Sequence, residues 1–333
     1  SCYCRRTLMF WKGPVFTKDG FRNQTINLEN CEIAEGFEGG ADGIIIPLLR
    51  NCHTHLGDTL ARNKIPENLT LEELVGPSGW KHKWLEKNNV EDSVIIGMKE
   101  IIGSGTGLIM DFREGGKEGL EVFDSIEYPG TSILLGRPKE NEELPGKNAG
   151  ISSLKDVPKS IEIASKAREK NGLVGIHHSE NEREEIEPLL NLNPDFVVHL
   201  CHATDSDLKL IKQAGISVVV CPRSNDYFGN RPPLEKMVEL EMDIGFGTDN
   251  GMLCTANIFD EIKYIREKFS SLSLDSILSI ACFGLNDMFN KDQTSPYFNL
   301  EENGWILLSR VEEDEYESVF STKSEILGIR WRN

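Results

Sequence analysis

Short apolar, β-rich runs alternate with helix-like segments along most of this chain, and that alternation leaves few folds open. The runs cover residues 44–49, 107–111, 132–135, a faint one at 150–153, then 173–177, 196–200, 216–221 and 243–247. Helix signals separate them. Asp156-Val157-Pro158 places proline in a first turn before Ile161, Ala164 and Ala167, and Asn171-Gly172 ends that segment. Asp205 caps a stretch through Leu208 and Ile211 that stops at Gly215. Eight such units predict an α/β fold, a (β/α)8 TIM-type barrel over residues 43–299, with its chemistry at the C-terminal ends of the strands. Residues 1–42 and 300–333 carry short, turn-rich strand patterns and predict one small β-rich domain appended to the barrel.

The charge balance narrows the partners. Acidic residues outnumber basic ones 54 to 36, for a net charge of −18, and no basic block interrupts the excess. A nucleic acid polymer and an anionic membrane are therefore excluded in favour of a small-molecule substrate, while a homo-oligomer stays open. The apolar runs are far shorter than the roughly 18 residues of a membrane span. The opening Ser1-Cys2-Tyr3-Cys4-Arg5-Arg6 lacks the layout of a signal peptide, so a cytoplasmic location is expected. The eight cysteines are read as reduced thiols, and Cys2-x-Cys4 has no second pair with which to build a zinc site.

Six of the seven histidines fall at or near the ends of three predicted strands. In Asn51-Cys52-His53-Thr54-His55, extended backbone points residues i and i+2 to one side, so His53 and His55 can converge on one ion. In His177-His178-Ser179-Glu180 the two histidines point to opposite faces, and only one can face the barrel interior. The sixth strand carries His199, followed by His202, and the eighth ends in Gly247-Thr248-Asp249. Each residue alone reads as a packed histidine or a loop acid. Together, imidazoles with a carboxylate suit zinc or ferrous iron.

These residues resemble the amidohydrolase superfamily, especially its cytosine, guanine and adenosine-type deaminase and chlorohydrolase branch. The match runs in order: the first-strand His-x-His at His53 and His55, the fifth-strand His-x-x-Glu at His177 and Glu180, and the sixth-strand His199. Cys221-Pro222-Arg223-Ser224-Asn225 and Gly247-Thr248-Asp249 complete it. The resemblance selects His177 over His178 and His199 over His202. It implies one divalent metal ion, Zn²⁺ ahead of Fe²⁺, held by His53, His55, His177 and Asp249. No barrel lysine stands out for a carboxylate bridging two metals.

The same resemblance implies a metal-dependent aminohydrolase, a deaminase releasing ammonia from a nucleobase-like or other nitrogen heterocycle through a metal-activated hydroxide. Asp249 would take the water proton, Glu180 would protonate the substrate, and His199 would hydrogen-bond the attacking oxygen. Arg113, Glu114, His178, His202, Ser224 and Asn225 are candidates for substrate contact, each with a structural role as the competing reading. Trp80-Lys81-His82-Lys83-Trp84 reads either as part of a lid or as an ordinary amphipathic packing surface. Hydrolysis of an amide, a cyclic imide or a carbon–halogen bond on the same site is the alternative chemistry, and a non-catalytic metal-binding barrel is the third.

Overall fold

Strands that read as apolar runs become the wall of a ring. The computed structural model describes residues 10–27, 43–139, 142–291 and 304–331; the Cys2-x-Cys4 pair lies outside them. In chain order the strands are β1 (Phe10–Thr17), β2 (Gly20–Asn27), β3 (Ile44–Pro47), β4 (Leu49–His55), β5 (Thr106–Arg113), β6 (Thr131–Gly136), β7 (Asn148–Ile151), β8 (Val174–His178), β9 (Phe196–His199), β10 (Ser217–Val220), β11 (Ile244–Phe246), β12 (Asp249–Asn250), β13 (Gly304–Leu308) and β14 (Ile326–Trp331).

The large sheet runs β11-β10-β9-β8-β7-β6-β5-β4-β12, and every neighbouring pair is parallel. Its nine segments make eight barrel positions, because β11 and β12 are successive pieces of one last strand. The Gly247 amide donates to Val220 O of β10 at 3.0 Å, and the Thr248 amide donates to His53 O of β4 at 3.0 Å. Adjacent residues thus join the two sides of the ring. A Cβ on Gly247 would lie 2.7 Å from His53 Cβ and 2.9 Å from Cys221 Sγ, so only glycine lets the strands approach this closely.

The strands are covered on both faces, which is why they lack an apolar–polar alternation. Helix residues Ile163, Ala164, Ala167, Leu208 and Ile211 pack with Val174, Ile176 and Val218. The helix Asp205–Gln213 starts from a Thr204 cap with a reciprocal bond from Asp207, so Asp205 is its first residue rather than its cap. The helix Ser160–Glu169 begins two residues after Pro158, which precedes the first turn instead of occupying it. No helix among the described residues is long and apolar enough to cross a membrane.

The small sheet, in the order β14-β13-β3-β1-β2, brings both ends of the chain together around Trp11, Val15, Ile26 and Ile45. It also claims β3, which corrects the reading of residues 44–49 as the first barrel strand. Ile44–Pro47 pairs with β1 and β13, whereas the barrel strand is Leu49–His55. His53 and His55 therefore lie within the strand, not in a loop after it. The faint fourth strand is Asn148–Ile151, two residues earlier than its composition suggested.

Candidate metal centre and catalytic site

One metal-ligating atom each from His53, His55, His177 and Asp249 lie within 4.8 Å of one another at the C-terminal end of the ring. Strand geometry places them. His53 and His55 share a face of β4, His177 is the last residue but one of β8, and Asp249 opens β12 beside Thr54. His53 Nε2 is 3.1 Å from Asp249 Oδ1 and 3.2 Å from His177 Nε2, and His55 Nε2 is 3.5 Å from Asp249 Oδ1.

Outer hydrogen bonds set the tautomers. His177 Nδ1 donates to Ile151 O at 3.0 Å and His55 Nδ1 to Glu114 Oε1 at 3.1 Å, so each presents an Nε2 lone pair inward. Burial lowers the pKa of His53, His55 and His177, that of His55 to about 3, and keeps these imidazoles neutral. Burial acts to raise Asp249, but its hydrogen bond to His53 and the surrounding histidines outweigh that and hold it ionised, well below the usual carboxylate range. The inward Nε2 lone pairs of His55 and His177, the His53 Nε2 and the Asp249 carboxylate converge on a common point, and they match the donor set of a nitrogen-preferring divalent ion. His53 turns Nε2 to the cage, while its buried Nδ1 has no hydrogen-bond partner among the described residues.

A second triad shares Asp249 with Glu180 and His199. Glu180 Oε2 lies 3.5 Å from His199 Nε2. Burial, opposed by His199 and reinforced by Asp249, pushes Glu180 up to about 7, so it carries a proton near neutrality. Asn225 Nδ2 donates to His199 Nδ1 at 3.0 Å, leaving Nε2–H to point into the site. Ser224 Oγ donates to Asp249 Oδ2 at 2.5 Å. His199 and Asp249 both adopt left-handed backbone, with φ of 79° and 60°, a strained conformation of the kind found where function fixes a residue.

The substrate candidates divide. Glu114 lines the cavity above the cage, yet its carboxylate is engaged by His55 and Lys81. His178 touches the same cavity, but its ring is held by Ser179 Oγ and Glu185 O. Ser224 and Asn225 support Asp249 and His199 rather than line the cavity. Arg113 is not brought to it: the guanidinium is 1% exposed, bound to Asp111 and Gly119 O. His202 is exposed and paired with Asn230. Lys81 was missed as a site residue; it is buried beside Asp58, Glu114 and Asn250.

The cavity holds about 210 Å³ and is lined by His55, Lys81, His177, Glu180, His199 and Asp249 among others. An outer cavity of about 1060 Å³ shares Val75, His82, Arg137, Ser152 and Asp156 with it.

Comparisons with known proteins agree with this arrangement. Residues 160–294 match the amidohydrolase family. A relative from Archaeoglobus fulgidus, named as an aminohydrolase, is 31% identical over 87% of this chain and 91% of its own. A 5'-deoxyadenosine deaminase of Methanococcus vannielii is 27% identical over 73% of this chain and 67% of its own. The guanine deaminase of C. acetobutylicum, solved with guanine bound, superposes with a TM-score of 0.64 at 16% identity over 91% of each chain. With a barrel of this topology, a histidine–aspartate cage at its C-terminal mouth and a relative of this similarity along nearly its whole length, the chain belongs to the amidohydrolase family.

Proposed function

We propose that this protein is a deaminase, releasing ammonia from an amino-substituted nitrogen heterocycle by hydrolysis at a single divalent metal ion. The observation that carries the reading is the sharing of Asp249 between the four-residue cage and the Glu180–His199 pair. On this reading Asp249 is the proton acceptor, Glu180 the proton donor and His199 a hydrogen-bond donor around one point. A bound divalent ion, Zn²⁺ by preference of the nitrogen-rich donors, would supply Lewis acidity that makes water nucleophilic at neutral pH.

The chain's own residues do the rest. Asp249 accepts the proton of the attacking water. Glu180, protonated near neutrality, delivers its proton to the ring nitrogen next to the carbon under attack; Asp249 then passes the water proton to the amino group, whose bond to that carbon breaks as ammonia departs, and the remaining hydroxyl proton returns to Glu180 as the carbonyl forms. His199 Nε2–H donates to the incoming oxygen as charge develops there. Arg137 stands where the inner cavity opens into the outer one. Its side chain lines both cavities, so its guanidinium can meet an acceptor on the substrate.

The test is ammonia release from a panel of aminopurines, aminopyrimidines, pterins and triazines by metal-reconstituted protein. Glu180→Gln should lower kcat by about 10²–10⁴-fold with metal content unchanged, because only proton delivery is lost. No release from any substrate by protein carrying its metal would end the deaminase reading and turn the search to amide, imide or halide hydrolysis. Metal analysis should find one ion per chain, with chelation abolishing turnover and added Zn²⁺ restoring it. Two ions per chain would refute the single-ion cage.

A further inference from the structure

The connection between β4 and β5 reaches into the cage. Its short helix Trp80–Leu85 turns Trp80 and Trp84 into an apolar cluster with Ala61, Leu74 and Met252. Lys81 leaves that cluster and is buried in the site, 3% exposed. Its ammonium donates to Asn250 Oδ1 at 2.9 Å and stands in ion-pair contact with Glu114 Oε1 at 2.8 Å and Asp58 Oδ2 at 3.1 Å.

Two of those partners lead directly to cage residues. Glu114 Oε1 accepts from His55 Nδ1 at 3.1 Å, and Asn250 Nδ2 donates to Asp249 Oδ1 at 3.1 Å. One ammonium therefore steadies a histidine on β4 and the carboxylate on β12, through one intermediary each. The same connection forms a wall of the inner cavity through Leu71, Val75, Gly76 and His82.

We propose that Lys81 is a positioning residue that couples metal loading of the cage to the ordering of this cavity wall. The inference rests on reading His53, His55, His177 and Asp249 as a metal site. A cation in the cage fixes His55 and Asp249; these hold Glu114 and Asn250; those hold Lys81 and the helix that carries it. Removing the ammonium breaks both links at once, whereas the cage residues themselves are left unchanged.

The experiment uses the full chain with Co²⁺ as probe, combining chelator competition, visible spectra and hydrogen exchange of residues 80–85. Lys81→Met should weaken Co²⁺ binding by about 10–100-fold and alter its spectrum. That variant leaves two buried carboxylates without their counter-charge. Asp58→Asn combined with Lys81→Met restores the local balance and should show the same two changes if the single variant does not fold. In the wild type, exchange at residues 80–85 should rise when the metal is stripped; in the double variant it should be equally fast with and without Co²⁺. Wild-type Co²⁺ affinity and spectrum in the folded variants, with only a lower melting temperature, would overturn the coupling and leave Lys81 a packing residue. Exchange in the wild type that ignores the metal overturns it as well. Failure of the wild type to bind Co²⁺ at all would instead remove the metal-site reading beneath it.

Discussion

Asp249→Asn is expected to lower kcat by about four orders of magnitude, equivalent to about 5.5 kcal/mol of transition-state stabilisation. The size follows from two losses at one atom set. The amide keeps the carboxylate's shape, but it neither accepts the water proton nor supplies the only anionic donor in the four-residue cage. Ser224 Oγ donates to Oδ2 and Asn250 Nδ2 to Oδ1, so the new NH₂ fits only toward Ser224, whose hydroxyl must turn from donating to accepting. Steady-state kinetics on protein titrated with Zn²⁺ separate the effects, because saturating metal restores occupancy and not proton transfer. A variant that keeps a tenth of wild-type kcat would falsify the role given to Asp249.

Phe112→Ala should destabilise the fold by about 3–5 kcal/mol, the range for emptying a fully buried aromatic site. Phe112 is 1% exposed, and its ring centroid lies 4.6 Å from that of His53, 4.9 Å from His177 and 6.0 Å from Phe196. It is thus the apolar floor on which two cage histidines rest. Urea unfolding of the metal-free protein measures the packing loss without the contribution of a bound ion. A cost below about 1 kcal/mol would mean that neighbours collapse into the space, and that the histidine positions are set by the strands alone.

Which features were legible in the sequence follows from what is local. Strand runs and the His53/His55 spacing were visible because a period of two, and burial on both faces, leave their mark within a few residues. The division of residues 44–55 was not. Ile44–Pro47 and Leu49–His55 are equally apolar at their junction, and only pairing with β1 and β13, or with β5, separates them. Periodicity left the choice between His177 and His178 open, and family resemblance selected His177, whose Nε2 lies 3.2 Å from that of His53. Lys81 was invisible as a site residue for the same reason as the β3–β4 junction. A lysine between tryptophans on a short amphipathic helix reads as a solvated cation, and its burial depends on Asn250, 169 positions away. Arg113 misled in the opposite sense: its position after a strand suggested substrate, while its neighbour Asp111, two residues back, already satisfied it.

The junction at Gly247 and Thr248 bears on how the molecule comes into being. His53 and Asp249 stand 196 positions apart, and they meet only where the last strand reaches the first. Contacts of such sequence separation form late, since the intervening chain must be organised before they are worth making. A nascent or partly refolded chain can therefore possess most of its helices and strands, and His53 and His55 within one of them, without possessing a cage. Competence arrives with the final joint of the ring rather than accumulating gradually, so chains halted one strand short would be helical, collapsed and wholly inert.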